Sequence, residues 1–208
     1  MSKVATVSKG TLVLASASPR RVALLKQVGL PFEQIVSPAP EPAPEGEAVE
    51  HAIHSARTKA EAVSENLPRD RGTFVVGADT VVWLEDELLG KPTSVDDAAR
   101  MLGLLSGRQH SVCTGLCVLS PDGAAHEAAE VTRVHMTPLS ESAITDYIES
   151  GEPLDKAGSY GIQGLGARFI ERIEGCYYNV VGLPLHRLTT LLAAAGFDVD
   201  TPFKPDSA

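Results

Sequence analysis

Thr11-Leu12-Val13-Leu14-Ala15-Ser16-Ala17-Ser18-Pro19-Arg20-Arg21 reads as a short strand running into a helix. The apolar run Thr11–Leu14 suits a buried strand. Ser18 suits the N-cap and Pro19 the first helical position. Val22, Leu24, Leu25 and Val28 then give helical spacing, and Gly29 gives the stop. Arg20 and Arg21 therefore fall in the first turn, where exposed N–H groups and the helix dipole disfavour cations. An anion facing them resolves the conflict: amides, the hydroxyls of Ser16 and Ser18 and two guanidinium forks make a phosphate site. The same residues also read as a solvated arginine pair.

Downstream, strands and helices alternate. Ser37 to Glu47, with four prolines and three glutamates, reads as a stiff exposed connection or a lip over a cleft. A helix is predicted over Ala48–Ser64, with Val49, Ala52, Ile53, Ala56, Ala60 and Val63 as its apolar stripe. Lys59 flanks that stripe; it either snorkels to water or points into a site at the seam. Phe74–Trp83 is a long β-type run, followed by a turn at Asp86 leading into Glu87–Gly90. Ser94, with Asp97 three residues on, starts a helix whose stripe is Val95, Ala98, Ala99, Leu102 and Leu105. Strands follow at His110–Leu119 and about Glu127–Met136, then a helix from Ser140 to Ser150 and a last one from Pro184 to near Gly196. Hairpins mixed with crossovers predict an α/β fold with a mixed, twisted sheet and flanking helices. The expected organisation is a loose N-terminus over 1–10, one two-lobed domain over 11–200 and a loose tail over 201–208.

The chain has 208 residues and a formal net charge of -9. That charge argues against nucleic-acid polymers and anionic membranes as partners, though cations can still converge locally on a phosphate. With no apolar run of membrane length and no signal peptide, a cytoplasmic location is expected. Cys113 and Cys117 share one face of a predicted strand and Cys176 is distant, which is not a zinc spacing; buried free thiols are expected.

Asp79 is the first chemical candidate. It interrupts Val75-Val76-Gly77-Ala78-Asp79-Thr80-Val81-Val82, and a carboxylate there must be paired, hydrogen-bonded or metal-bound. It is either a satisfied structural aspartate or a general base or metal ligand in a cleft. The second candidate is the glycine-rich stretch from Gly151 to Gly166, which carries Lys156 and Gln163, a cation and a planar amide able to read a base edge. It matches neither a Walker loop nor a dinucleotide fingerprint, and a plain loop is the alternative. Lys91, between Gly90 and Pro92 at a strand-to-helix corner, is the third; it also reads as a solvated lysine. No Ser-His-Asp arrangement is evident.

Taken together, five ordered segments resemble the Maf family of nucleoside triphosphate pyrophosphatases: Ala15–Arg21, Val76–Val82, Gly90–Pro92, Leu105–Gly107 and Gly151–Gly164, with Val180–Pro184 in addition. The resemblance runs from about Leu12 to Ala195. It implies an elongated two-lobed architecture, like that of inosine triphosphate pyrophosphatases, with a central cleft. It also implies a homodimer, a divalent metal (Mg²⁺ or Mn²⁺), and hydrolysis of an NTP to NMP and pyrophosphate. By resemblance, Ser16, Arg20 and Arg21 match the phosphate signature, Asp79 the catalytic carboxylate, and Lys59 and Lys91 the cleft lysines. Asp79 and Glu41 are the matches for metal binding, with Glu41 set among prolines. Arg20, Thr80 and Gln163 match positions that bear on base choice. Thr80 and Gln163 side with the dTTP and UTP branch, whereas the 7-methyl-GTP branch tends to carry Gln and Glu there. The alternatives are a nucleotide-binding regulator of septum formation with little turnover, and a pyrophosphatase for 7-methyl-GTP or another purine nucleotide.

Overall fold

The computed structural model describes residues 10–40, 42–43, 45–68 and 72–199. The expected loose ends at 1–10 and 201–208, apart from Gly10, and Glu41 lie outside the described residues. Among the described residues a seven-stranded sheet is formed by β1 (Thr11–Leu14), β2 (Glu33–Gln34), β3 (Thr73–Leu84), β4 (Glu87–Leu89), β5 (Gln109–Leu119), β6 (Ala125–Met136) and β7 (Ile170–Glu174). The strand order is β2-β1-β3-β5-β6-β7, with β4 paired to β3. The β1 pairings with β2 and β3 are parallel, and the rest are antiparallel. The helices are α1 (Pro19–Gln27), α2 (Ala48–Ser64), α3 (Val95–Leu105), α4 (Glu141–Glu149), α5 (Tyr177–Val181) and α6 (Leu185–Ala194). The mixed α/β sheet expected from the sequence is the one observed.

Side chains alternate across a strand, so β3 and β5 each present two rows. On one face, Phe74, Val76 and Ala78 join Leu116 and Val118 in a core completed by Leu24 and Leu25 of α1 and Leu188 and Leu192 of α6. Farther along the same face, Val82 and Leu84 join Val112 and Val134 in a second core with Leu102 of α3 and Tyr147 of α4. Between the two cores the row is polar: Thr80 lies opposite Thr114. These two hydroxyls are 2.9 Å apart. On this face the long strands thus carry two hydrophobic cores divided by a polar band, which gives the two lobes.

The other face carries α2. Gly77 and Gly115 leave the sheet bare where the helix crosses. A Cβ on Gly77 would overlap the Ala56 carbonyl, and one on Gly115 would overlap the backbone of Ala52. Ala52, Ala56 and Ala60 are fully buried there, so the predicted stripe is narrower than its sequence suggests: Val49 is 38% exposed. Val95 of α3, also expected on an apolar stripe, is 56% exposed. Both valines sit in the first turn of their helices.

Cys113 and Cys117 are buried free thiols under α2. Burial pushes both up to about 12, so they are inert. Sequence patterning does not reveal β2, β7 and α5, each of five residues or fewer. Too short to show a period, they are set by their neighbours.

Gly77→Ala and Gly115→Ala should each destabilise the protein by about 1–3 kcal/mol, because the added methyl drives α2 off the sheet. Gly103 of α3 faces open space. Gly103→Ala should instead stabilise by roughly 0.5–1 kcal/mol through helix propensity. Urea unfolding of the three variants checks the contrast in sign.

Candidate active site

One edge of β3 pairs with β5 throughout its middle. On the opposite edge, β1 pairs with β3 only as far as Leu14 against Val76. β4 pairs from Leu89 against Val82. Residues 77–81 therefore border a gap between two strands on one edge, and the main cleft opens there, with a volume of about 780 Å³. The turn after β1 supplies Ser16, Arg20 and Arg21 on one side. The corner after β4 supplies Lys91 on the other. The C-terminal end of a parallel strand beside a break in sheet order is where α/β sheets commonly hold ligands.

Asp79 and Thr80 are neighbours on β3 and project to opposite faces of the sheet. Asp79 lies in the same row as Gly77, toward α2. Lys59, one helical turn beyond Ala56, is 8% exposed and reaches Asp79 with Nζ 2.5 Å from Oδ1. The close approach at Gly77 is what brings the lysine over the carboxylate. Of the two readings of Lys59, the structure supports the one that points into the seam.

Ser18 caps α1, accepting from the Arg21 amide at 3.4 Å. The two arginines then part. Arg21 turns inward and is 9% exposed. Its Nε donates to the Gly182 carbonyl at 2.8 Å and its Nη1 to the Ala78 carbonyl at 2.8 Å. Its Nη1 also donates to Ser16 Oγ at 3.4 Å, and its Nη2 to Thr80 Oγ1 at 3.0 Å. Its fork is thus engaged with backbone and hydroxyl acceptors that join α1, β3 and the α5–α6 connection. Arg20 points to the cleft mouth, where Nη1 meets Asp155 Oδ2 at 3.0 Å. The anion expected at the first turn of α1 is here a carboxylate of the chain itself.

Ser16 Oγ accepts from the Ser18 amide at 3.2 Å as well as from Arg21. Both are donors to it, so its own proton is available to an anion in the cleft. Thr80 is more constrained. Thr114 Oγ1 donates to the Asn179 carbonyl at 3.1 Å. The Thr80 proton then goes to Thr114, and Arg21 uses one Thr80 lone pair. One lone pair remains, so Thr80 faces a ligand as an acceptor.

The glycine-rich stretch is not a plain loop. It is a series of short 3-10 turns over Glu152–Asp155, Ala157–Ser159 and Gly164–Phe169. Lys156, Asp155 and Gln163 of this stretch line the cleft. Lys156 Nζ donates to the Glu152 carbonyl and lies 2.7 Å from Asp155 Oδ1. Burial works to raise the Asp155 pKa, but Lys156 and Arg20 outweigh it and hold the carboxyl below its usual range. Asp155 is inconspicuous in the sequence; its position beside Lys156 in the same motif is the available signal. Thr114 and Asn179 carry no sequence signal, since Thr114 enters through strand pairing with Thr80 and Asn179, on α5, through its carbonyl.

All of Ser16, Arg20, Arg21, Lys59, Asp79, Thr80, Lys91 and Gln163 line this one cleft. Among the described residues, no group of three or more His, Cys, Asp or Glu could hold a metal ion.

A family profile described as Maf-like protein matches residues 11–195. The chain belongs to the Maf-like proteins. Curated Maf-like relatives include the dTTP/UTP pyrophosphatase of Nitratidesulfovibrio vulgaris, 49% identical over 187 residues, covering 89% of this chain and 88% of that one. The dTTP/UTP pyrophosphatase of a Geobacillus species is 49% identical over 177 residues, covering 85% and 93%. Among solved structures, the Staphylococcus aureus Ham1 protein aligns with 77% of this Maf-like chain and 79% of its own, at 17% identity and a TM-score of 0.46.

Arg21→Lys should destabilise this Maf-like protein by about 2–4 kcal/mol although charge is kept, because buried carbonyls lose a planar donor. Arg20→Ala, at a partly exposed pair, should cost about 0–1 kcal/mol. Equal losses in denaturant unfolding would contradict the division of labour between the two arginines.

Proposed function

We propose that the chain hydrolyses nucleoside triphosphates at the α–β phosphoanhydride, releasing the monophosphate and pyrophosphate, with dTTP and UTP preferred. The observation that carries this reading is the Asp79–Lys59 pair in a cleft whose walls bring cations from separate elements: Arg20 from α1, Lys91 after β4 and Lys156 from the glycine-rich stretch. The named activity of the curated relatives supports it.

In this reading a water attacks the α-phosphorus. The new O–P bond forms as the bond to the α–β bridging oxygen breaks, and that electron pair leaves with pyrophosphate. The water proton passes to Asp79 acting as general base. Lys59 holds Oδ1 and so orients the carboxylate, leaving Oδ2 to take the proton. Arg20, Lys91 and Lys156 neutralise charge on the leaving group, and Ser16 donates to a phosphate oxygen. Arg21 acts by holding Thr80 and the walls of the cleft in place.

A divalent cation, Mg²⁺ or Mn²⁺, belongs to the proposal. Mg²⁺ is commonly held by one or two carboxylates together with substrate phosphates, and Asp79 fits that role where no protein-only cage exists among the described residues. When bound, it would neutralise the triphosphate. Homodimer assembly and a cytoplasmic location are part of the same reading. No helix among the described residues is long and apolar enough to cross a membrane.

For the base, Thr80 offers an acceptor to a ring N–H, and the Gln163 amide offers a donor to a neighbouring carbonyl. Uracil and thymine carry an N3–H between two carbonyls and so match. Cytosine has an unprotonated N3 and would set acceptor against acceptor.

NMP and pyrophosphate should appear in equal amounts, with no nucleoside diphosphate as a primary product. Asp79→Asn should lower turnover by about two to four orders of magnitude while nucleotide binding persists. Turnover near the parent level would overturn the general base. Across a substrate panel, dTTP and UTP should exceed CTP, dATP, dGTP and 7-methyl-GTP in kcat/KM. A profile led by 7-methyl-GTP or by CTP would overturn the base assignment and leave the pyrophosphatase reading standing.

A further inference from the structure

Gln163 lies at the cleft but is exposed, and no packing of its own side chain fixes its place. A planar amide reads a base only when its backbone is held. Two side chains do this from the neighbouring lobe. Tyr147, on the last turns of α4, is buried against Phe169, ring to ring at 5.1 Å. Glu152 follows α4 directly, after Gly151 reverses the chain with φ +74°. The Tyr147 hydroxyl accepts from the Gly161 amide at 3.1 Å and donates to Glu152 Oε1 at 2.9 Å. Glu152 in turn accepts from the Leu165 amide on Oε2 at 2.8 Å and from the Gly166 amide on Oε1 at 3.0 Å. Burial acts to raise the Glu152 pKa, but the two amides and the phenol outweigh it, so the acceptor stays ionised at neutral pH. The segment from Gly161 to Gly166 is therefore pinned at both ends, with Gln163 at its centre. Glycine is needed on either side of Leu165: a Cβ on Gly166 would stand 2.6 Å from the Tyr147 hydroxyl, and one on Gly164 would stand 2.5 Å from Glu152 Oε2.

We propose that Tyr147 and Glu152 are positioning residues for base selection: their hydrogen-bonded pair clamps Gly161 and Leu165–Gly166 and so sets Gln163 against the base. The proposal rests on the assignment of Gln163 to the base given above. Neither residue touches the nucleotide; they act through the backbone that carries Gln163. Of the groups assigned to phosphate, Ser16, Arg20 and Lys91 come from the turn after β1, from α1 and from the corner after β4, and Lys156 precedes the clamped Gly161–Gly166 segment, so phosphate binding and base choice separate. Loss of the clamp lowers discrimination between bases and leaves the grip on a base-free phosphate chain in place.

Tyr147→Phe keeps the ring against Phe169 and removes the hydroxyl. Glu152→Gln keeps the size and removes one of the two carboxylate acceptors. Each is compared with the parent and with Gln163→Ala by the ratio of kcat/KM for UTP to that for GTP, and by the inhibition constant of inorganic tripolyphosphate, which has no base. The expected result is a selectivity ratio reduced by roughly ten-fold in all three variants, about one well-placed hydrogen bond, with tripolyphosphate inhibition within about two-fold of the parent. If Gln163→Ala lowers selectivity and the two clamp variants do not, the clamp is overturned while the base assignment stands. If Gln163→Ala leaves selectivity unchanged, the base assignment fails and the clamp has nothing to position. If the clamp variants lose tripolyphosphate binding together with selectivity, their role is general support of the lobe and the proposal is likewise overturned.

Discussion

The bare backbone at Gly77 and Gly115 is the constraint on which the site depends. Any side chain at either position would hold α2 away from the sheet. With glycine there, the helix backbone rests on β3 and β5, and its alanines fill the interface. A largely buried lysine one turn beyond Ala56 then turns to the wall of the cleft, where its ammonium needs an anion. Asp79, two residues beyond Gly77 on the same row, is that anion at 2.5 Å. Leaving either partner alone would cost several kcal/mol, on the order of a broken buried ion pair. Packing and chemistry are thus fixed by the same two glycines.

A second constraint is the unfinished edge of β3. A strand bordered by partners along its whole length would bury its polar groups in the ladder. Here β1 stops at Val76 and β4 begins at Val82. Of the five residues between them, Asp79, Thr80 and Val81 line the cleft. The polar band of Thr80 and Thr114 on one face and the Asp79–Lys59 pair on the other occur at this same level. The two hydrophobic cores end where the band begins, so the division into lobes and the location of the site have one cause.

Much of this is legible in the sequence, and the reason is periodicity. The helices at Ala48–Ser64 and Val95–Leu105 and the strands β3, β5 and β6 are long enough for their spacing to declare them. Asp79 stands out because a carboxylate interrupts an apolar run. The ambiguous residues are those whose meaning depends on a distant partner. Lys59 can snorkel or point inward until the approach of α2 is known, and Arg20 and Arg21 look equivalent until their acceptors are known. Asp155, Glu152, Thr114 and Asn179 escape a sequence reading because each is an ordinary polar residue locally. Their roles arise from pairs 65 or more residues apart, as with Thr114 and Asn179, or from a turn series with no periodic signature.

The two arginines show why neighbouring identical residues can differ in what they can do. Arg21 donates to carbonyls of Ala78 and Gly182, both buried residues. Moving it onto a ligand would strand those carbonyls, each at a cost of about 1–3 kcal/mol. Arg20 donates to Asp155, whose side chain is 60% exposed. A solvated carboxylate released from such a pair is simply hydrated again, and the pair itself is worth about 0–1 kcal/mol. A phosphate chain carries more charge than one carboxylate and offers a bidentate match to the guanidinium fork. In the proposed reaction, exchange at Arg20 is therefore favourable and exchange at Arg21 is not. Sequence position sets both in the first turn of α1; the cost of abandoning the present partner assigns one to the ligand and the other to the frame.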